Sequence, residues 1–139
     1  MTNAARADRE RWELDQRRAD VLLVGSQLAY GSVGTNAALP VLNEAGLRVV
    51  PLPTVLLSNL PHHRSVHAIT LPPEWLRSTL DDLTALGVAA EIDTICTGYF
   101  AEPAQVEAVA GWIRTALASA PGLRVIVDPT LGDHDVGPY

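Results

Sequence analysis

No lysine occurs among the 139 residues; all ten cationic side chains are arginine. That excludes a P-loop, whose lysine must reach the β- and γ-phosphates, and any lysine Schiff base in the chain. Phosphate, if it is handled here, falls to backbone N–H groups, helix N-termini, arginine or a metal. Cysteine is almost absent too: Cys96 is the single one, which rules out an internal disulfide and suits a reducing cytoplasm. No apolar run approaches the roughly 20 residues that span a bilayer, and the charged N-terminus lacks the apolar centre of a signal peptide. The net charge is −6, whereas nucleic-acid binding needs clustered cations. A cytoplasmic protein with neither nucleic-acid nor membrane partner is the expectation.

What is present is a globular composition, 47% hydrophobic over a length that fits one domain. Residues 1–18 are dense in Arg, Asp and Glu, with Trp12 and Leu14 as the main apolar anchors, and read as an exposed, charged helix or arm. From residue 19 to 139 strand-like and helix-like periods alternate. Asp20–Val24 is an apolar run expected to form a strand buried on both faces. Thr35–Ala45 is expected as a helix with Gly46 as its cap and Pro40 near its start or at a kink. Leu47–Leu52 is a second strand, Ile92–Thr97 a third and Leu123–Val127 a fourth. Pro73 opens a helix whose apolar face carries Trp75, Leu76, Leu80, Leu83 and Leu86. Pro103–Ala118 is the next helix. Residues 54–72 are expected as a long irregular connection, and a loop of that length in a compact domain is usually a lid or binding loop. Alternating strands and helices imply parallel crossovers and a doubly wound sheet.

Polar groups gather where strands end. Ser26 follows the first strand, in a stretch punctuated by Gly25, Gly31 and Gly34. Ligands bind outside the carboxyl ends of strands in such folds, so this stretch reads as a pocket floor, or else as a tight strand-to-helix turn that uses glycine for positive φ. The glycine spacing does not fit a dinucleotide fingerprint. His62 and His63 sit beside Pro61 without the spacing of metal ligands, and solvated loop histidines explain them equally. Asp128, Asp133 and Asp135 follow the fourth strand; carboxylates there suit Mg²⁺ held through waters and phosphate oxygens, while Asp-Pro and Gly-Asp are also turn formers. Cys96 reads as a small buried apolar residue. Gly98 and Tyr99, after the third strand, are placed to line a pocket.

Four blocks together resemble the vitamin B6 kinases of the ribokinase-like superfamily. They are Gly25-Ser-Gln-Leu-Ala-Tyr-Gly-Ser-Val-Gly34, Pro53-Thr-Val-Leu-Leu-Ser-Asn-Leu-Pro-His62, Thr97-Gly-Tyr99, and Val127-Asp-Pro-Thr-Leu-Gly-Asp133 followed by Asp135-Val-Gly-Pro-Tyr139. The first two are similar to the bacterial three-vitamer kinases. The resemblance implies the N-terminal half of an α/β, ribokinase-like, mostly parallel doubly wound sheet. It implies ATP-dependent phosphorylation of the 5′-hydroxyl of pyridoxal, pyridoxine and pyridoxamine, with ATP and Mg²⁺ as cofactors, in a cytoplasmic homodimer. By the same resemblance, Ser26 hydrogen-bonds the pyridine ring and His62 closes over it. Asp128 lies on the ATP and metal side, and Tyr139 lies beside the metal. Thr35-Asn36 stands where Asn-Ser is more usual, and Thr130 where an aliphatic residue usually follows Asp-Pro. The Gly-x-Gly-Asp motif with its catalytic aspartate has no match in residues 1–139, so no catalytic residue is expected here and residues 1–139 alone are expected to be inactive. A hydroxymethylpyrimidine-type kinase and a non-catalytic pyridoxal-binding module are the alternatives.

Overall fold

The computed structural model describes residues 3–134, 137 and 138, with side chains at residue 7 and from residue 9 onward. Its centre is β1, Val21–Leu28, whose first five residues are all buried. Their side chains alternate between two covered faces, which is why the run is apolar without a break. Leu22 and Val24 join Leu52, Ile95, Leu76, Leu80 and Val109 in one core cluster. On the opposite face Gly25 looks toward Thr35, which opens helix α2, Thr35–Glu44. Helices therefore cover both sides of the sheet.

Strand β2, Val49–Leu57, runs parallel to β1 on one side, and β4, Thr94–Thr97, parallel to it on the other. Beyond β4 lies β5, Arg124–Val127, also parallel. With β3, Ala68–Thr70, at the outer edge beside β2, the sheet order is β3-β2-β1-β4-β5. A short hairpin pairs β6, Gly132–Asp133, with β7, Gly137–Pro138. Helices α3, Pro73–Ala85, and α4, Pro103–Ser119, each open on proline, where the missing N–H costs nothing. Trp112 of α4 donates its Nε1–H to Thr84 Oγ1 of α3 at 3.1 Å. α2 ends as expected at Gly46: φ is +81°, the Gly46 N–H reaches Asn43 O and the Leu47 N–H reaches Leu42 O. This is the two-bond closure that favours glycine.

The expected elements are found, but several readings need correction. β2 does not stop at Leu52. It continues through Pro51 and Pro53 to Leu57, and Val55–Leu57 pairs antiparallel with β3, Ala68–Thr70. The prolines are tolerated because β3 does not reach their level, so no neighbour needs the missing N–H groups. The irregular connection over 54–72 thus shrinks to the turn between these strands. Trp75 and Leu86, expected on the buried face of α3, are exposed, Leu86 because the helix ends before it at Ala85. Trp12 and Leu14, expected as anchors of the arm, are exposed as well. The arm is held by ion pairs instead: Arg9 to Glu91 at 2.7 Å, Arg48 to Glu13 at 3.2 Å and Arg18 to Asp93 at 2.6 Å. They join α1, Asn3–Trp12, and the segment after it to the amino end of the sheet.

Candidate active site

Strand order reverses at β1, since its two neighbours are followed by connections leaving in opposite directions. The crevice outside the carboxyl ends at such a point is the usual ligand site. Ser26 lies there, but within β1 rather than in a loop after it, which corrects the expectation that the strand ends at Val24. The ladder persists because Gly25 pairs with Pro53 and Gln27 with Leu56, leaving Thr54 and Val55 of β2 as a bulge opposite Ser26. Such bulges re-aim side chains beside functional sites. The pairing outlasts the strand: Ala29 and Tyr30 donate N–H bonds to Leu57 O and Ser58 O.

The turn into α2 closes on Ser26. Gly34 adopts φ 56°, ψ −133°, which only glycine takes readily, and a β-carbon there would stand 2.8 Å from Ser26 O. The Asn36 carboxamide fastens the strand end: Nδ2 donates to Leu28 O and Oδ1 accepts from Leu28 N–H, both at 2.8 Å. Asn36 therefore acts as an extra ladder partner for β1.

The facing wall is the β4-to-α4 segment. The Gly98 N–H donates to Val24 O at 2.8 Å, and Gly98 and Tyr99 lie against Gly25, within ordinary contact of where a β-carbon there would stand. Thr54 Oγ1 donates to Tyr99 O at 2.7 Å. Gln105, fully buried, donates from Nε2 to Thr54 O and Leu71 O and accepts at Oε1 from Ala101 N–H. Sequence reasoning missed Gln105 and Thr54. The signal for Gln105 was its spacing, since Gln105, Ala108 and Val109 form the buried stripe of α4 and an amide in such a stripe must find partners.

The remaining candidates lie further along the same rim. His62, half-exposed in the β2-to-β3 turn, places Nε2 3.7 Å from Asp133 Oδ2 on β6. Two blocks far apart in sequence thus meet. Asp128 follows β5; its N–H donates to Thr97 O at 2.8 Å and its Oδ1 accepts from Thr130 N–H at 3.2 Å. Thr130 sits at φ 43°, a strained value for a β-branched residue. Asp128, Thr97, Gly98 and Phe100 border an open concavity of about 260 Å³, and a wider cleft of about 700 Å³ opens between Tyr99 and Leu131. Ser26 and Asp128 are not neighbours, since β4 stands between their strands. Tyr139 and Asp135 lie outside the described residues. Among the described residues no three His, Cys, Asp or Glu side chains form a metal cage. Asp128 and Asp133 are nevertheless hard oxygen donors. They suit Mg²⁺, which takes one or two carboxylates and completes its shell with water and phosphate. Cys96 is half-buried rather than fully buried as expected, and desolvation pushes its thiol above the ordinary range.

A mostly parallel sheet with a glycine-lined crevice at its switch point defines an α/β ligand-binding fold, and solved structures that match it include kinases. Pyridoxal kinase from Entamoeba histolytica superposes with a TM-score of 0.81 at 21% identity, covering 85% of this chain and 42% of that one. Pyridoxal kinase from Leishmania donovani, solved with ADP and pyridoxamine, does so at 0.78 and 24% identity, over 83% of this chain and 42% of that one. In sequence the chain is 47% identical over 120 residues to the pyridoxine/pyridoxal/pyridoxamine kinase of Bordetella pertussis, covering 86% of this chain and 42% of that kinase. No protein-family model matches the chain. The chain thus has the fold of the N-terminal half of the pyridoxal kinases and spans about two fifths of the length of the curated relatives it matches.

Proposed function

We propose that this chain forms the substrate-binding part of an ATP-dependent kinase that phosphorylates the 5′-hydroxyl of pyridoxal, pyridoxine and pyridoxamine. The observation that carries the reading is Ser26, fixed on the last turn-ward residues of β1 by the β2 bulge and the Gly34 approach, in a chain 47% identical to a three-vitamer kinase. A hydroxyl so held is preorganised for a hydrogen bond to the pyridine ring, and binding energy is not spent on ordering it. His62 covers the ring from the β2-to-β3 turn. Asp128 faces the nucleotide, and Tyr139 belongs beside the metal.

Phosphoryl transfer is mostly positioning and charge stabilisation. These residues hold and orient the vitamin so that its 5′-hydroxyl is presented toward the acidic rim. When bound, Mg²⁺ held by Asp128 and phosphate oxygens would neutralise charge on the transferred group. The general base that takes the hydroxyl proton is proposed to come from the further length that the relatives possess. The same further length is proposed to cover the open face at β5, where Ile126 and Val127 are exposed. A cytoplasmic homodimer completes the reading.

The test is a substrate panel on the full-length gene product: each B6 vitamer and hydroxymethylpyrimidine, with ATP and Mg²⁺. Phosphorylation of the vitamers supports the proposal. Turnover of hydroxymethylpyrimidine alone, or pyridoxal binding without turnover, contradicts it in favour of the related kinase or a binding module.

A further inference from the structure

Three segments that build the crevice converge on two side chains. The β2 bulge and the exit from β3 meet where Val55 pairs with Thr70, whereas the start of α4 belongs to no ladder; Gln105 ties all three, bonding Thr54 O at 2.8 Å, Leu71 O at 2.7 Å and Ala101 N–H at 2.9 Å. Leu71 N–H also donates to Thr54 O at 2.9 Å, so that carbonyl accepts twice. Thr54, fully buried like Gln105, then sends its hydroxyl to Tyr99 O at 2.7 Å. Thr54 lies in the bulge opposite Ser26. The chain of contacts therefore runs from the strand pair that holds Ser26, through Thr54, to the backbone of the facing wall.

We infer that Thr54 and Gln105 are positioning residues that set the distance between the Ser26 floor and the Gly98–Ala101 wall, and with it the fit of the vitamin ring. The inference rests on the proposed function. Neither side chain touches the crevice itself; they act through the main chain of Tyr99 and Ala101. Buried side-chain amides and hydroxyls with every bond made rigidify what they join. The segment they hold lies outside the ladder, between the end of β4 at Thr97 and the start of α4 at Pro103; Gly98 N–H on Val24 O and Phe100 against the core fix it alongside them.

Removing Gln105 takes the partner from Leu71 O and Ala101 N–H in the interior, enough to threaten folding, so Thr54 carries the test. Thr54→Val keeps shape and removes the hydroxyl; Thr54→Ser keeps the hydroxyl. In the full-length gene product, Thr54→Val is expected to raise KM for pyridoxal roughly tenfold, the range one lost hydrogen bond spans. KM for ATP should stay near the parent value, and Thr54→Ser should restore pyridoxal KM. Independently of activity, amide hydrogen exchange at Gly98–Ala101 in the unliganded protein should quicken in Thr54→Val and not in Thr54→Ser. Unchanged pyridoxal KM in folded Thr54→Val, equal impairment of the two variants, or unchanged exchange at 98–101 would overturn the inference. An unmutated protein that does not phosphorylate pyridoxal defeats the proposed function instead, and exchange at 98–101 then decides the tie on its own.

Discussion

Gly34 and Ser26 are in contact through a space that admits no side chain: a β-carbon on Gly34 would stand 2.8 Å from the Ser26 carbonyl oxygen and closer still to its hydroxyl. The backbone of Gly34 is also in a region other residues avoid. Gly34→Ala is therefore expected to destabilise the protein by about 1–3 kcal/mol from backbone strain alone and to displace Ser26, raising KM for pyridoxal. Gly46→Ala is the control. It has positive φ but open space around it, so stability should fall while pyridoxal KM stays put. Thermal melts and steady-state kinetics on the two variants separate the effects.

Asn36 makes its pair of bonds to Leu28 from the first turn of α2. Asn36→Ala should lower stability by about 1–3 kcal/mol, two net hydrogen bonds. Asn36→Asp keeps the acceptor but turns the donor into a second acceptor facing Leu28 O, so it should not rescue. Urea denaturation of the three proteins checks this.

The amino end of the sheet carries a pH-dependent contribution. Burial acts to raise the Glu91 carboxyl, but the Ala19 N–H, the Arg9 guanidinium and the Arg48 charge outweigh it and hold Glu91 below its ordinary 4.5. A depressed carboxylate stabilises the fold above the unfolded value, and that contribution is lost as pH falls through the lower folded value. Glu91→Gln should therefore melt lower than the parent at pH 7, and the gap should narrow below pH 4.5.

Cys96 lies on β4 with its thiol pushed upward by burial. Less thiolate is present at any given pH than for a free thiol. Alkylation by iodoacetamide near neutral pH is expected to be slow in the folded protein and fast in denaturant. Equal rates in the two states would contradict the packing assigned to it.

Much of this arrangement is legible in the sequence, for reasons particular to certain residues. The unbroken Val21–Val24 run declares a strand covered on both faces, and Pro73 and Pro103 mark helix starts because only there is a missing N–H harmless. Gly46 announces its helix end. What stays hidden depends on neighbours far away in the chain. Pro51 and Pro53 argue against a strand until the unpaired outer edge beside them is known. Ser26 looks like a loop residue until the bulge at Thr54 and Val55 shows the ladder continuing. Trp12 reads as an anchor because large aromatic residues usually are, whereas here Arg9, Arg18 and Arg48 hold the segment by charge. At the site, Ser26 and His62 are visible as polar residues in the right blocks. The pairing of His62 with Asp133 is not, because 71 positions of chain separate them.

The most direct measurement of the central claim is the dissociation constant of pyridoxal for the full-length gene product and its Ser26→Ala variant, with the melting temperature of each recorded alongside. If the β1 crevice holds the vitamin ring, Ser26→Ala should bind pyridoxal roughly tenfold more weakly, one hydrogen bond's worth, with the melt unchanged. Equal affinity in the two folded proteins would place the vitamin elsewhere and contradict the account.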